Sequence, residues 1–313
     1  MFSIIRYTAD KVDEWNQFVA QSKNGTFLFD RRYMDYHADR FEDYSLMVYH
    51  KNHLYALLPA NRRDDVLYTH QGLTYGGLLM SKQCTTALVR DLFGQLNAYL
   101  HNQGVLKVVY KPVPWIYATL PSEEDLYALC NACHARLISR DVASVVMLDR
   151  RLPLSQLRRR GVKKAAKALV VVRESDEWAT FWQILEQRLQ QRHDASPVHT
   201  QSEMQLLHSR FPDAIRLFAA YHEGRMVGGT VLYLTPQTVK TQYIAANDEG
   251  FAVGALDGLF DNLIKLFADE DYAYFDFGTS NMPGSDDLHD SLIFQKEGFG
   301  ARAVCYDTYE WTL

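Results

Sequence analysis

The chain has 313 residues, of which 47% are hydrophobic and 23% are charged, as is typical of a globular protein and not of a disordered or collagen-like chain. This length allows two domains. The formal net charge of -5 argues against nucleic-acid binding over the whole surface. No apolar run approaches the ~20 residues needed to cross a bilayer, and the first residues lack a signal-peptide pattern, so we expect a cytoplasmic protein without a transmembrane segment.

The periodicity of the first half predicts alternating strands and helices. A helix begins near Val12 and places Trp15, Phe18 and Val19 on one face. The predicted elements are a strand at 2–7, helices at 12–19 and 31–37, strands near 45–50, 53–59 and 65–70, a helix at 86–103, a strand at 105–110, a helix at 122–132 and a strand near 143–148.

The second half repeats this order. A helix starts after Ser175, a good N-cap residue, and carries Trp178, Phe181 and Trp182 on its apolar face. The predicted elements are a strand at 169–173, this helix, a helix at 201–210, strands at 215–222, 226–234 and 238–246, a helix at 252–268, a strand at 272–277, a helix at 287–296 and a strand at 302–311.

Two pairs of segments support a duplication. The segments VYHKNHLYALL (48–58) and AYHEGRMVGGT (220–230) each place Tyr-His before a two-residue turn. The segments 92–110 and 259–277 share leucine and phenylalanine at their first two positions and then enter strands. Coincidence is the alternative, because leucine and phenylalanine are common in every helix–strand pair.

The four cysteines do not predict a disulfide framework. Cys130 and Cys133 have one half of a zinc-like spacing, and no second pair completes it. We therefore predict no metal site.

The order of elements, together with several motifs, resembles the GNAT acyltransferase superfamily twice over. The motifs are LRRRGVKKAAKALVVV, EGRMVGGTVLY, YIAAND, FDFGTSN and FQKEGFG, all between about 155 and 305. The particular resemblance is to tandem-GNAT proteins of the Fem type. It implies an α/β fold of two GNAT-like domains, each a mostly antiparallel twisted sheet flanked by helices. The expected domains are 1–150, a degenerate copy that shapes the acceptor cleft, and 151–313, which holds the active site.

The resemblance also implies where the acyl donor binds. The strands 238–246 and 272–277 are expected to separate, so that free amides of Ile244, Ala245 and Ala246 take the acyl carbonyl. The helix start at Gly254 and Ala255 would take the pyrophosphate of coenzyme A, since helix N-termini attract anions. The segment departs from the family pattern, and Asp248 and Glu249 would repel phosphate. Acyl-coenzyme A is the expected donor, with aminoacyl-tRNA as the alternative.

Acyl transfer needs a base and a group that stabilises the developing oxyanion. The loop QQRHDASPVHT (190–200) supplies His193 and His199 as candidate catalytic residues and Arg192 as a candidate substrate ligand. Tyr243, Ser280 and Asn281 are further candidates for substrate binding. Each histidine is alternatively an exposed loop residue.

Asp276 and Lys296 complete the candidate catalytic set. Alternation points Asp276 away from Phe275 and Phe277 on a central strand, where it is either a base or a cap for the following loop. Lys296 lies in the last turn of a helix expected to bury Leu288, Leu292 and Phe294 and to end at Gly298. A cation there stabilises the helix end in any case, but in the Fem-type ending this lysine faces the reacting groups.

The sequence therefore predicts an acyltransferase that joins an acyl or aminoacyl group to an amine or hydroxyl of a cell-surface polymer or peptidoglycan precursor. The alternative is a non-catalytic protein of the same fold that binds a nucleotide-linked sugar or RNA. The stretch 150–169 holds eight lysines and arginines and no acid. It is either a solvated helix between the domains or a landing surface for a phosphate-rich molecule, namely tRNA, a nucleotide sugar or a lipid-linked diphosphate. No DNA partner is expected. The oligomeric state is not predicted.

Overall fold

The computed structural model describes residues 1–193, 196–282, 285 and 287–313. The chain divides into two compact units, Met1–Asp141 with Cys305–Leu313, and Val142–Val304. The predicted halves differ from these units in two respects. The first unit ends before residue 150, and it includes the end of the chain, which the sequence placed with the second half.

The first unit contains short strands and two longer helices. In chain order its elements are β1 (Phe2–Arg6), α1 (Val12–Gln21), α2 (Arg31–Met34), β2 (Glu42–Asp43), β3 (Leu46–His50), β4 (His53–Leu58), β5 (Asn61–Arg63), β6 (Val66–Thr69), β7 (Leu79–Met80), α3 (Thr86–Asn102), β8 (Lys107–Tyr110), α4 (Glu124–Asn131) and β9 (Arg136–Met147), which continues into the second unit.

The second unit contains the longer strands. Its remaining elements are α5 (Gln156–Lys167), β10 (Val171–Glu174), α6 (Trp178–His193), α7 (Gln201–Arg210), β11 (Ile215–His222), β12 (Arg225–Leu234), β13 (Thr238–Ala246), α8 (Asp248–Val253), α9 (Ala255–Asp269), β14 (Tyr274–Thr279), α10 (Asp290–Glu297) and β15 (Arg302–Thr312), which ends in the first unit.

The core of the first unit forms around α3. Its strands form two sets. One set has the order β1–β3–β4–β7, and the other has the order β2–β5–β6–β8 followed by the end of β15. The apolar stripe of α3, which includes Val89, Leu92, Phe93 and Leu96, is buried with residues of β3, β4, β6 and β8. Apolar side chains three and four residues apart lie on one helix face, which is why α3 forms here.

The second unit has one sheet in the order β10–β11–β12–β13–β14–β9. Every neighbouring pair is antiparallel except β13 and β14, which are parallel. One face is covered by α9, whose Leu259, Phe260, Leu263 and Phe267 share a buried cluster with Phe275. The helix α6 packs on β12 and β13.

The hairpins β3–β4 and β11–β12 carry the same irregularity at the same place. Their turns, Lys51-Asn52 and Glu223-Gly224, have positive φ at both residues, as a two-residue hairpin turn of the type I′ kind requires. The register then shifts between Val48 and Tyr49 in one hairpin and between Ala220 and Tyr221 in the other. A bulge repeated at equivalent residues supports the duplication more strongly than shared leucines do.

Three details of the predicted helices are wrong. The single helix expected at 252–268 is two helices, divided by Gly254 in the left-handed conformation with φ of 76°. Gly298 is right-handed, and the left-handed glycine after α10 is Gly300, with φ of 93°. Leu288 and Phe294 do not enter the core, because Phe294 is 65% exposed and Leu288 is 41% exposed.

Candidate active site

The strands β13 and β14 separate after three residue pairs. Thr238, Val239 and Lys240 pair with Tyr274, Phe275 and Asp276. Beyond Lys240, β13 continues to Ala246 paired only with β12, while β14 continues to Thr279. In the half of β13 beyond Lys240, every second main-chain N–H therefore points into the gap between the two strands. Among the described residues, these N–H groups have no hydrogen-bond partner on a neighbouring strand. The wedge between these strands, as the sequence predicted, places Ile244, Ala245 and Ala246 along one side.

A bulge in β13 lies just inside the wedge. Val231 pairs with Tyr243 but Leu232 pairs with Thr241, so Gln242 is the extra residue. The Gln242 side chain accepts a hydrogen bond from Lys240 Nζ at 3.1 Å. Bulges redirect side chains near sites of ligand approach, and here the bulge turns a polar side chain toward a buried ammonium group.

Three charged groups are buried where the strands part. Asp276 is 0% exposed, Lys296 is 6% exposed and Lys240 is 7% exposed. Charged side chains are rarely this buried unless they are paired or functional. Two ammonium groups around one carboxylate leave an excess of positive charge, so this cluster favours an anion or a developing negative charge.

Lys296 reaches back from α10 to the loop after β14. Its Nζ donates hydrogen bonds to the main-chain oxygens of Gly278 at 2.9 Å and Thr279 at 2.7 Å. Burial lowers the pKa of Lys296 to about 8; Asp276 acts in the opposite direction, and Lys240 adds to the lowering. An ammonium group with two acceptors retains a third N–H for a ligand.

Lys240 is the residue that the sequence reasoning missed. Its Nζ also lies 3.4 Å from the Thr241 carbonyl oxygen and 4.0 Å from the position that a Cβ on Gly278 would occupy. Burial lowers the pKa of Lys240, which the Asp276 carboxylate partly offsets. The available signal was a lysine inside TVKTQYIAA, a strand otherwise predicted to be central.

Asp276 lies on the sheet face opposite α9. Phe275 and Phe277, its neighbours, belong to the core cluster of α9, so alternation directs Asp276 to the other face, as predicted. Lys240 shares that face, because it pairs with Tyr233, whose hydroxyl contacts Met204 of α7. The carboxylate of Asp276 accepts a hydrogen bond from Gly278 N at 2.7 Å. It therefore holds the loop that Lys296 also binds.

The structure brings His199, in the loop before α7, against Tyr243 in the half of β13 that lies beyond Lys240. His199 Nδ1 and the Tyr243 hydroxyl are 2.6 Å apart, and the His199 main-chain N–H donates to the same hydroxyl. Burial raises the pKa of Tyr243 to about 12. The Trp182 ring of α6 packs edge-on against Tyr243. His199 is thus a buried, oriented residue and not an exposed loop residue.

The remaining predicted site residues have different surroundings. Ser280 is buried, and its Oγ has no hydrogen-bond partner in the described part of the chain. The Asn281 side chain accepts from Val142 N at 2.8 Å and so fixes the start of the sheet segment of β9. The side chains of His193 and Arg192 lie outside the described residues.

The helix start at Gly254 and Ala255, the expected place for a pyrophosphate, is packed against α5. Gly254 and Ala255 are buried, and a Cβ on Gly254 would lie 2.8 Å from the Gly161 carbonyl oxygen of α5. Asp257 in the first turn of α9 is paired with Arg158 of α5 at 2.5 Å. The helix α5 therefore packs against the place expected for coenzyme A phosphates, and the assignment of Gly254 and Ala255 to a cofactor stays a prediction.

Comparisons with known proteins agree with this geometry. Residues 150–286 match the model of the acetyltransferase (GNAT) domain family, so the predicted GNAT resemblance is confirmed for this part of the chain. No curated protein shows significant sequence similarity to the chain. Among the described residues no helix combines the length and the apolarity needed to cross a bilayer.

Solved structures extend the likeness to the whole chain. The structure of FemX has a TM-score of 0.71 at 12% identity, over 99% of this chain and 97% of that one. The C-terminal domain of a putative lysylphosphatidylglycerol synthetase from Agrobacterium fabrum has a TM-score of 0.63 at 10% identity, over 96% and 91%. A tandem GNAT protein from the clavulanic acid pathway has a TM-score of 0.52 at 13% identity, over 100% and 98%. The chain therefore has the tandem GNAT fold, with the Fem-like arrangement that the sequence predicted.

Proposed function

We propose that the chain is an acyltransferase that joins an acyl or aminoacyl group to an amine or hydroxyl of a cell-surface polymer precursor. The observation that carries this proposal is the wedge between β13 and β14, with the buried cluster of Lys240, Asp276 and Lys296 at its root. An ester or thioester carbonyl entering the wedge would meet main-chain N–H groups of Ile244 to Ala246. Donors placed where negative charge develops are a principal source of acyl-transfer catalysis.

The transfer is a direct attack in a ternary complex. The acceptor nitrogen or oxygen bonds to the carbonyl carbon, its proton passes to a base, and the ester or thioester bond to the donor breaks with protonation of the leaving atom. We assign the free N–H of Lys296 to the carbonyl oxygen as it becomes negative. His199, oriented by Tyr243, is the base that we favour for the acceptor proton.

The donor that we infer is an aminoacyl ester in preference to acyl-coenzyme A. The packing of α5 on Gly254 and Asp257 supports this choice, because α5 and the Asp257 carboxylate lie at the start of α9, where a pyrophosphate was expected to bind. The Agrobacterium fabrum neighbour is named a putative lysylphosphatidylglycerol synthetase, and a lysyl group is an aminoacyl group. No step of the proposed reaction depends on coenzyme A.

A transfer assay tests the proposal. It offers the chain either labelled aminoacyl-tRNA or labelled acetyl-coenzyme A, each together with a nucleotide-linked sugar-peptide precursor, and measures the label transferred to the precursor. We expect transfer from the aminoacyl ester, and we expect Lys296→Met to lower kcat by about 100-fold or more, the usual effect of removing an oxyanion donor. Lys265→Met is the matched control, since Lys265 is exposed and paired with Asp261 on α9.

Each outcome has a clear meaning. Binding of the precursor without transfer from either donor would support the non-catalytic alternative. Transfer from acetyl-coenzyme A alone would overturn the choice of donor. A folded Lys296→Met variant with undiminished turnover would remove that lysine from the mechanism.

A further inference from the structure

The helix α5 has one side that packs against α9 and a basic face that is exposed. Gly161 and Ala165 pack against α9, and Arg158 is paired with Asp257. At about 100° per residue, the remainder of the helix surface carries five exposed cations. These residues, which we call the basic face, are Arg159, Arg160, Lys163, Lys164 and Lys167.

The basic face is not neutralised by the rest of the unit. None of its five residues has an ion pair among the described residues, whereas Arg158 on the buried side does. The stretch 150–169 contains no acid, although the chain as a whole has a net charge of -5. Clustered unpaired cations on an acidic protein create a local positive potential that attracts anionic partners.

Exposed aliphatic side chains border the basic face at both ends of α5. Leu157 is 49% exposed, Leu169 is 81% exposed and Val171 is 56% exposed. Single exposed leucines are common, but a group of them within one basic segment is characteristic of a surface that contacts a partner.

Leu169 is the most informative of these residues. It has φ of 54°, in the left-handed region, where glycine or asparagine is favoured after a helix. Its side chain buries very little surface, so leucine gains no packing in return for this backbone conformation. A large apolar side chain held outward at the helix end is suited to insertion into an apolar layer.

This combination favours a lipid surface over RNA. Cations beside exposed aliphatic side chains match the phosphate and acyl regions of an anionic bilayer. RNA single strands are bound by stacking on aromatic rings, and the stretch 150–169 has no aromatic residue.

We propose that the basic face, with Leu157 and Leu169, docks the second unit on an anionic membrane surface. This inference concerns a surface separate from the wedge and holds whether or not the wedge transfers an acyl group. Each cation near an anionic surface strengthens binding, and the effect weakens as salt screens it.

Vesicle co-sedimentation tests the proposal. We expect the full chain to bind vesicles of phosphatidylcholine with phosphatidylglycerol and not vesicles of phosphatidylcholine alone. The triple variant Arg160→Gln, Lys163→Gln, Lys167→Gln should bind at least about tenfold more weakly. The control triple Lys51→Gln, Arg63→Gln, Lys82→Gln removes three exposed cations from the first unit and should bind as the parent chain does.

Leu169→Asn separates membrane contact from folding. Asparagine suits the left-handed backbone, so urea unfolding should show equal or higher stability while vesicle affinity falls. No binding to the anionic vesicles, equal binding by the two triple variants, or binding to duplex RNA in place of vesicles would each overturn the proposal.

Discussion

The pH dependence of stability offers a sharp test of the buried Lys296 ammonium group. In an unfolded chain a lysine has a pKa of about 10.4, whereas in the structure the pKa of Lys296 is about 8. Between these values the unfolded chain binds a proton that the folded chain does not. Stability must therefore rise with pH across this window, because folding no longer buries a charge.

The magnitude follows from the shift. A difference of one pKa unit corresponds to 1.36 kcal/mol, so the free energy of unfolding should rise by about 3 kcal/mol between neutral pH and about pH 10. Tyrosines and cysteines titrate in the same window. Comparison with Lys296→Met cancels most of their contribution, since the variant lacks only this group.

The assay is urea unfolding of the parent chain and of Lys296→Met at several pH values, with the difference between their unfolding free energies plotted against pH. We expect the difference to move in favour of the parent chain as pH rises, with a slope approaching 1.4 kcal/mol per unit. A difference that stays flat from about pH 7 to pH 10 would show that the amine is solvated in the folded state. The location of Lys296 at the root of the wedge would then be untenable.

Two further predictions concern the space around two glycines and the strength of two ion pairs. Gly229→Ala should destabilise the second unit by about 2 kcal/mol or more, because its Cβ would lie 2.7 Å from the Phe218 carbonyl oxygen. Gly94→Ala in α3 should instead stabilise the protein by about 1 kcal/mol, because the new methyl group meets nothing within 4 Å. Urea unfolding measures the stability of both variants, and equal effects would contradict the surroundings described for the two glycines. Arg158→Ala should cost about 1–3 kcal/mol, because it leaves the Asp257 carboxylate, whose side chain is 15% exposed, without its ion-pair partner. Arg173→Ala, which breaks an exposed pair with Glu177, should cost less than about 0.5 kcal/mol. Similar losses for the two variants would refute the argument.

Much of the fold was predictable because periodicity reports burial. The helix at 201–210 and the strands at 215–222 and 238–246 were predicted with the bounds that the structure has. Their apolar patterns repeat at 3.6 or 2 residues, and turn residues bound them. Short strands such as β2 and β7 were missed, since two residues carry no period.

The site was predictable only in part. The wedge, the orientation of Asp276 and the inward position of Lys296 were expected from the family resemblance and from alternation. The packing of α5 over Gly254 was not expected. This contact joins Gly161 to a glycine far along the chain, and nothing in the local sequence of either residue indicates which residue it contacts. The role of Lys240 depends on where two strands stop pairing, a property of tertiary geometry and not of local sequence.

The burial pattern of α10 argues that its position is set by function as well as by stability. A helix selected for packing would direct Phe294 inward and Lys296 outward, since burying an ammonium group is costly. In α10 the lysine is buried and the phenylalanine is 65% exposed. The cost is offset by two main-chain acceptors and by Asp276, which together hold a cation of lowered pKa beside the wedge. Strongly perturbed groups held in this way are characteristic of active sites, which is why the wedge and the lysine are best explained together.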